Sequence, residues 1–389
     1  MADFGIMFGY MNISIVLLGV TGDLASRKII PAIAALSHDP SYNVQMIGVS
    51  RSTPDTQAIG SLIETQRGMV ACDYVQGSYT DKDTLQEALD LADSPDIVLV
   101  YLAVPPHLFT PILQTTCALD SANVHIVVEK PFGQSLSTAR ELIEAAQNCT
   151  LTPHVHFFDH YLFKQATYLS ESEKNSLSHL CGSVPESIEV RALEALGVQN
   201  RLAYYDGVGA TKDMWQHLYS LANFYAELFN FTLPWPELTV NRYERGQYAG
   251  YAESLAHESQ TETYFRIQAR AGATKLEFES GKQLGFKETL LRVSYADGTI
   301  VEWNINPSEH LRVSSGVRTL HDIQFPAATR PDHTRLFQTI VRGEYDRFIT
   351  PRAIFQTWQA YEEILSQATS LQSYEPGAVP QFDREKQVG

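Results

Sequence analysis

Asp213 and His217 stand four positions apart in the run GATKDMWQHLYSL, residues 209–221, which patterns as the first turns of a helix. Four residues is just over one turn, so the carboxylate and the imidazole share a face, one above the other. The pair suits acid–base chemistry, and the same spacing is also ordinary on the polar stripe of a packed helix. A second cluster sits in HVHFFDHYLFK, residues 154–164. His160, Tyr161 and Lys164 place three donor side chains within five residues, a match for the acceptor oxygens of a phosphate. Asp159 beside them is the carboxylate expected to fix the tautomer of a catalytic histidine and to stabilise its protonated form. His154, His156 and His160 also read as metal ligands, since strand alternation puts the first two on one face. That set lacks a clear third ligand and an open-site carboxylate, so no metal is expected. Lys130, in VVEKPFG, precedes a proline that restricts its backbone. It could donate to oxygens of both a cofactor and a substrate, or be an ordinary loop lysine.

The elements that must position these groups fall into two patterns. Up to about residue 160, apolar runs alternate with helical segments: ISIVLLG (13–19), VQMIGVS (44–50), CDYVQG, DIVLVYLAV (96–104) and NVHIVVEK (123–130), with helices expected at 24–37, near 56–66, at 108–118 and at 136–147. Continuous apolar strands separated by helices predict a doubly wound parallel sheet. Beyond it, ESIEVRALEA, ETYFRIQARA, TKLEFESGK, ETLLRVSYA and TIVEWNI alternate with period two and predict a large, mostly antiparallel sheet. Helices at 209–229 and 351–369 are expected to cover one of its faces, with a loose tail after about 374. The reading is therefore an α/β doubly wound (Rossmann) domain over 1–160 and an α+β domain over 161–389, expected to serve respectively as the nucleotide-binding domain and as the substrate-binding and dimerisation domain once the motifs and the resemblance below are added.

The first strand runs into GVTGDLASRK and a helix, where Gly19 and Gly22 permit the tight turn and close backbone approach that a pyrophosphate needs. Thr21, Asp23 and Leu24 of that turn, and Lys28 deeper in the helix, join the expected cofactor set. The motif is G-x-x-G rather than the full G-x-G-x-x-G, so a plain strand–helix turn stays open. NAD-selective folds end the second strand with an acidic residue on the ribose. Here Arg51 follows it, which favours the 2′-phosphate of NADP, with NAD possible. Tyr101 and Pro105 of YLAVPP are expected on the nicotinamide side.

The totals exclude several classes. A formal net charge of −16 argues against nucleic acid or an anionic membrane as partner. The N-terminal run lacks a basic region followed by an apolar stretch, and no uncharged stretch is long enough to span a bilayer. Four cysteines without close pairing predict reduced thiols, and with the other features a cytoplasmic protein.

In order and spacing, GVTGDLASRK, YLAVPP, VVEKPFG and DHYLFK resemble the glucose-6-phosphate dehydrogenase family. The likeness continues through EALGVQNRLAYYDGVGATKDMWQH, similar to that family's Glu…Arg…Tyr-Phe-Asp…Gly…Arg-Asp segment. GKQLGFK (281–287) is similar to its substrate-lysine loop, and NINPSE (304–309) and VRGEYDRFITPRAIFQTWQAYEEIL resemble its C-terminal motifs. The resemblance implies NADP-dependent oxidation of a phosphorylated hexose at its anomeric carbon, glucose 6-phosphate giving the lactone, by a homodimer joined through the second domain. It implies that His160, Tyr161 and Lys164 grip the phosphate, and that Glu194, Asp213, Lys282, Lys287 and Asn306 contact the sugar. Lys130 would bridge sugar and nicotinamide, Arg51 would bind the 2′-phosphate, and His217, oriented by Asp159, would be the base. Asn304, where the family tends to have a basic residue, counts against an added structural nucleotide site.

One departure matters. The family's histidine falls five residues after the aspartate, in D-x-x-Q-N-H; here the run is D-M-W-Q-H, with Leu218 in the expected place. One residue is about 100° of rotation and about 1.5 Å of rise. Either the helix geometry changes locally, or the site follows the glucose–fructose oxidoreductase and inositol dehydrogenase family. That family is similar in its EKP lysine and its D-x-x-x-H spacing. The alternatives are an oxidoreductase acting on another carbon of a sugar or amino-sugar phosphate, and a nucleotide-binding regulatory protein without turnover.

Overall fold

The computed structural model describes residues 10–119, 123–149, 154–181, 184–198, 201–255, 257–326 and 331–381. The chain divides into two compact units. One runs as far as Phe163 and takes in a later segment ending at Ile354; the other starts at Lys164 and resumes at Phe355.

The first unit is built on six parallel strands: β1 (Met11–Leu18), β2 (Tyr42–Ser50), β3 (Ala71–Gln76), β4 (Ile97–Leu102), β5 (Val124–Glu129) and β6 (Val155–Phe158), in the order β3-β2-β1-β4-β5-β6. Every residue of β4 is buried, as expected of a strand covered on both faces. The helices α1 (Ile30–Leu36), α2 (Thr56–Thr65), α3 (Lys82–Asp90), α4 (Phe109–Cys117) and α5 (Leu136–Gln147) alternate with the strands, and the later segment of this unit adds α9 (Asp332–Val341). Asp55, Asp81 and Ser135 start three of them by accepting the N–H of Ala58, Thr84 and Thr138.

The expectation of reduced thiols fails for one pair. Cys117 and Cys149 form a disulfide, with Cα atoms 5.0 Å apart. They are 32 residues apart in sequence, but α4 packs on α5, and each cysteine lies at or just beyond the C-terminal end of its helix. Sequence spacing carries no trace of that pairing, and the thiol argument for a cytoplasmic location loses its footing here. Cys72 and Cys181 remain free thiols.

The second unit carries nine strands: β7 (Ser187–Leu193), β8 (Leu238–Tyr248), β9 (Tyr264–Ala271), β10 (Thr274–Gly281), β11 (Glu288–Ser294), β12 (Thr299–Asn306), β13 (His310–Ser315), β14 (Arg318–Gln324) and β15 (Ala368–Tyr374). Their order is β14-β13-β12-β11-β7-β10-β9-β8-β15, antiparallel except for the β7–β10 and β8–β15 pairs. The period-two pattern is realised directly: Ile188, Val190, Leu276, Phe278, Leu291 and Val293 are buried, while the residues between them carry charge. After α6 (Glu171–Leu180) and the short α7 (Leu202–Asp206), helix α8 (Gly209–Leu228) packs across β7, β9 and β10, with Trp215 edge-on to Phe278 at 4.9 Å. The Trp215 Nε1–H donates to the carbonyl of Thr357 at 2.9 Å, which seats α10 (Pro351–Ser366) beside α8.

Two boundaries differ from expectation. The helix read over 351–369 stops at Ser366, and Ala368–Tyr374 instead adds strand β15 alongside β8. The chain after 374 is pinned at least as far as Gly377, whose N–H donates to the carbonyl of Gln283 at 2.7 Å. No helix among the described residues is long and apolar enough to cross a membrane.

Candidate active site

In the first unit, β1 ends at the turn that begins with Gly19. Gly19 has φ +88°, and a Cβ there would fall 2.3 Å from the carbonyl oxygen of Ala103. Only glycine satisfies both conditions. The Gly22 N–H donates to the Gly19 carbonyl at 2.9 Å, closing the turn. The helix then opens with a π-helical turn, Ala25–Ile29, before continuing as α1; such turns cluster at functional sites. Thr21, Asp23 and Lys28 are exposed on this turn and Leu24 is half-buried; Asp23 pairs with Arg27 at 2.7 Å. The close backbone turn at a helix start is the cradle a dinucleotide pyrophosphate requires.

Arg51, directly after β2, is exposed, with its guanidinium 5.9 Å from the ring centre of Tyr79. Tyr79 is distant from Arg51 in sequence and lies in none of the motifs above. Pro105 is exposed, whereas Tyr101 is wholly buried in β4 and donates its hydroxyl to Glu129 Oε2 at 2.7 Å. Burial first, then the Glu129 charge, holds that phenol well above its usual range, so it stays a donor. Glu129 is a further member that motif reading passed over. Its carboxylate lies 4.0 Å from Nδ1 of His160 and 3.7 Å from Nε2 of buried His333. Lys130 follows, its N–H donating to the Phe158 carbonyl at 3.3 Å and its peptide bond to Pro131 cis. Asp159 is 1% exposed and accepts the Tyr161 N–H at 3.0 Å, so it shapes the turn that presents His160 and Tyr161.

The histidines read as a chelating set take another arrangement. His154, just before β6, and His156 within it both pack on His125 of β5, with His125 Nδ1 and His156 Nε2 2.9 Å apart. His160 belongs to the following 3₁₀ turn and pairs with Glu129 instead.

In the second unit, the sugar-contact candidates Glu194, Asp213 and Lys282 do converge. The Lys282 ammonium is 2.8 Å from Glu194 Oε2 and 3.8 Å from Asp213 Oδ2, with its side chain 4% exposed. The ring of fully buried Tyr205 lies 5.8 Å from the same ammonium. A cation held between two carboxylates leaves acceptor lone pairs on both for hydroxyl donors, the requirement for gripping a polyol. His217 follows Asp213 by one turn on α8 and is 4% exposed. α8 is an unbroken α-helix from Gly209 to Leu228, so no local irregularity offsets the one-residue displacement of the histidine. Lys164 accepts through its carbonyl from the Thr167 N–H at 3.0 Å. Lys287 is exposed in the loop before β11, and Asn306 ends β12 half-buried. Among the described residues, no hydrogen bond or ion pair joins either of them to the Lys282 cluster.

Comparison with known proteins adds a separate line of findings. Residues 16–168 match the family model "Glucose-6-phosphate dehydrogenase, NAD binding domain". The chain is 26% identical to glucose-6-phosphate 1-dehydrogenase 1 of Mycobacterium tuberculosis (strain CDC 1551 / Oshkosh), over 94% of this chain and 92% of that protein. Its fold is similar to the crystal structure of glucose-6-phosphate 1-dehydrogenase from Mycobacterium avium, with a TM-score of 0.75 and 22% identity over 95% of each chain. It is also similar, at a TM-score of 0.61 and 15% identity over 94% of this chain and 100% of that one, to KijD10, a 3-ketoreductase from Actinomadura kijaniata in complex with NADP and TDP-benzene.

Proposed function

The chain belongs to the glucose-6-phosphate dehydrogenase family as a distant member matched along most of its length, and from that premise we propose that it is an NADP-dependent dehydrogenase of a phosphorylated hexose, glucose 6-phosphate foremost. The observation that carries this reading is the buried Lys282 held between Glu194 and Asp213, on the unit whose helix α8 also bears His217. Bound NADP supplies the hydride acceptor.

The chain's own residues do the remaining work. Glu194 and Asp213 accept from sugar hydroxyls while Lys282 donates to a sugar oxygen. His160, Tyr161 and Lys164 supply donors to the phosphate. His217 takes the proton of the hydroxyl being oxidised, which lets the carbon release its hydride. The backbone turn at Gly19 holds the pyrophosphate, Arg51 faces the 2′-phosphate, and Lys130 donates to sugar and cofactor oxygens. The active species is proposed to be a homodimer.

A second reading has a specific observation behind it. With α8 regular throughout, the Asp213–His217 spacing is the one that resembles the glucose–fructose oxidoreductase and inositol dehydrogenase family, in which oxidation can occur at ring positions other than the anomeric carbon. Product analysis separates the two, a lactone that hydrolyses to an acid against a keto-sugar.

The test is reduced-nicotinamide absorbance with purified protein, NADP or NAD, and a panel of hexose and amino-hexose phosphates. Turnover of glucose 6-phosphate with preference for NADP is expected, and His217→Asn should lower it by about two to four powers of ten with little change in KM. NADP binding without oxidation of any sugar phosphate would defeat the enzymatic reading and leave a regulatory protein.

A further inference from the structure

We propose that Glu262 is a positioning residue for α8, and that its carboxylate and its backbone carbonyl together set the rotational phase at which the helix presents Asp213 and His217. The part these two residues play rests on the dehydrogenase reading above; the positioning itself rests on geometry.

Helix α8 begins without a capping side chain of its own, since Val208 before it supplies none. Its leading N–H groups need acceptors from elsewhere. Glu262 provides two. The Ala210 N–H donates to the Glu262 carbonyl at 2.9 Å, and the Thr211 N–H donates to Glu262 Oε1 at 3.0 Å. The approach is close enough that a Cβ on Gly209 would stand 2.7 Å from Oε1. One turn of backbone is thereby gripped at consecutive positions by a single residue. The hydroxyls of Thr211 and Tyr243, 2.7 Å apart, add a third tie. Turning the helix about its axis would break all three.

The segment that carries Glu262 is itself fixed on both sides. Asp206, at the end of the short helix α7 (Leu202–Asp206), accepts from the hydroxyl of Thr261 at 3.0 Å and from that of Ser259, and its Oδ2 is 2.9 Å from Nε2 of His257. These donors, the Ser259 hydroxyl foremost, hold the Asp206 carboxyl below the usual range, so it stays an anion. On the other side, Thr263 donates its N–H to the Gly246 carbonyl at 2.7 Å and accepts the Lys282 N–H at 2.9 Å. Adjacent residues thus fix the phase of α8, through Glu262, and the backbone of Lys282, through Thr263. The Lys282–Asp213 distance of 3.8 Å is set from a common base. A slip of one residue would turn Asp213 and His217 by about 100°.

The experiment compares Glu262→Ala and Glu262→Gln with the parent protein in steady-state kinetics and in hydrogen–deuterium exchange over residues 209–221. Alanine removes the Thr211 acceptor; glutamine keeps an oxygen there. Faster exchange in Glu262→Ala is expected, with kcat per NADP-binding site lower by about 10- to 100-fold and the KM for NADP unchanged. Glu262→Gln should return kcat to within roughly threefold of the parent. Unchanged exchange, or unchanged kcat per binding site in the alanine variant of an active parent, would overturn the proposal. A parent inert toward every sugar phosphate refutes the dehydrogenase reading instead. Exchange alone then decides, faster exchange in Glu262→Ala supporting the positioning role and equal exchange overturning it.

Discussion

Arg51 is the residue on which cofactor choice is proposed to turn. It stands where nicotinamide folds selective for the unphosphorylated cofactor place a carboxylate, and its guanidinium lies 5.9 Å from the ring centre of Tyr79. The aromatic face limits the directions the guanidinium can take, which reduces what ordering it costs when a phosphate arrives. A charge-assisted contact from guanidinium to phosphate contributes about 1.5–3 kcal/mol. Arg51→Ala should therefore weaken NADP by roughly 10- to 150-fold by that estimate, while NAD binding changes little. Titration of each nucleotide by intrinsic fluorescence checks it, and an equal loss for both would remove Arg51 from the 2′-phosphate role. Lys282 shows the complementary point. The resemblance already marks this loop lysine as a sugar contact, and here its ammonium is buried between Glu194 and Asp213. Only the fold brings the three together.

At the scale of elements, what was legible in sequence follows the strength of the pattern. Strands β1, β2, β4 and β5 of the first unit read cleanly because burial leaves long apolar runs, as in IVLVYL. The period-two strands β7, β9, β10, β11 and β12 read cleanly because one face is apolar. Strands β14 and β15 did not, because almost every residue in them is exposed or half-buried and nothing forces alternation. Residues on one helix or one short loop were found from their spacing, as with Asp213 and His217. Glu129, His333, Tyr79 and Glu262 went unread because their partners are distant in sequence.

The β5–β6 pair holds another such group. His125 and His156 stack in parallel, with His154 and Tyr345 the titratable groups facing them and Phe348 packed on His156. Burial, and after it the neighbouring imidazoles, pushes His125 down to about 4 and His156 to about 3, from 6.5. The unfolded chain then binds more protons than the folded one from about pH 6.5 downward. Stability from this pair is complete above that pH and is lost as pH falls toward 4 and then 3. Urea denaturation at pH 7.5 and pH 5 should show the parent losing stability, and His156→Phe losing distinctly less over the same interval. Equal losses in the two proteins would clear the histidines of any part in acid sensitivity.

At the scale of the whole molecule, the question is what the large sheet does with the face that α8 does not cover. Residues pointing that way include Glu189, Arg191, Arg266, Glu277 and Glu279, and they pair among themselves: Arg266 with Glu277 at 2.8 Å, Arg191 with Glu279 at 3.7 Å. Both guanidiniums are thus paired within one chain and one carboxylate is in excess, which leaves little for long-range attraction between two chains. Each chain carries a net −16, and two such bodies repel at a distance. If the proposed homodimer forms through this face, screening should strengthen it. The Debye length falls from about 30 Å at 0.01 M salt to about 8 Å at 0.15 M. Sedimentation equilibrium should therefore give a dimer of twice the single-chain mass, with a dissociation constant that falls as salt rises between those concentrations. A dimer that loosens with salt would mean that ion pairs re-form between chains, and exchange of Arg266 and Glu277 for alanine would then abolish it. A single-chain mass under both conditions, at micromolar protein, would rule the homodimer out.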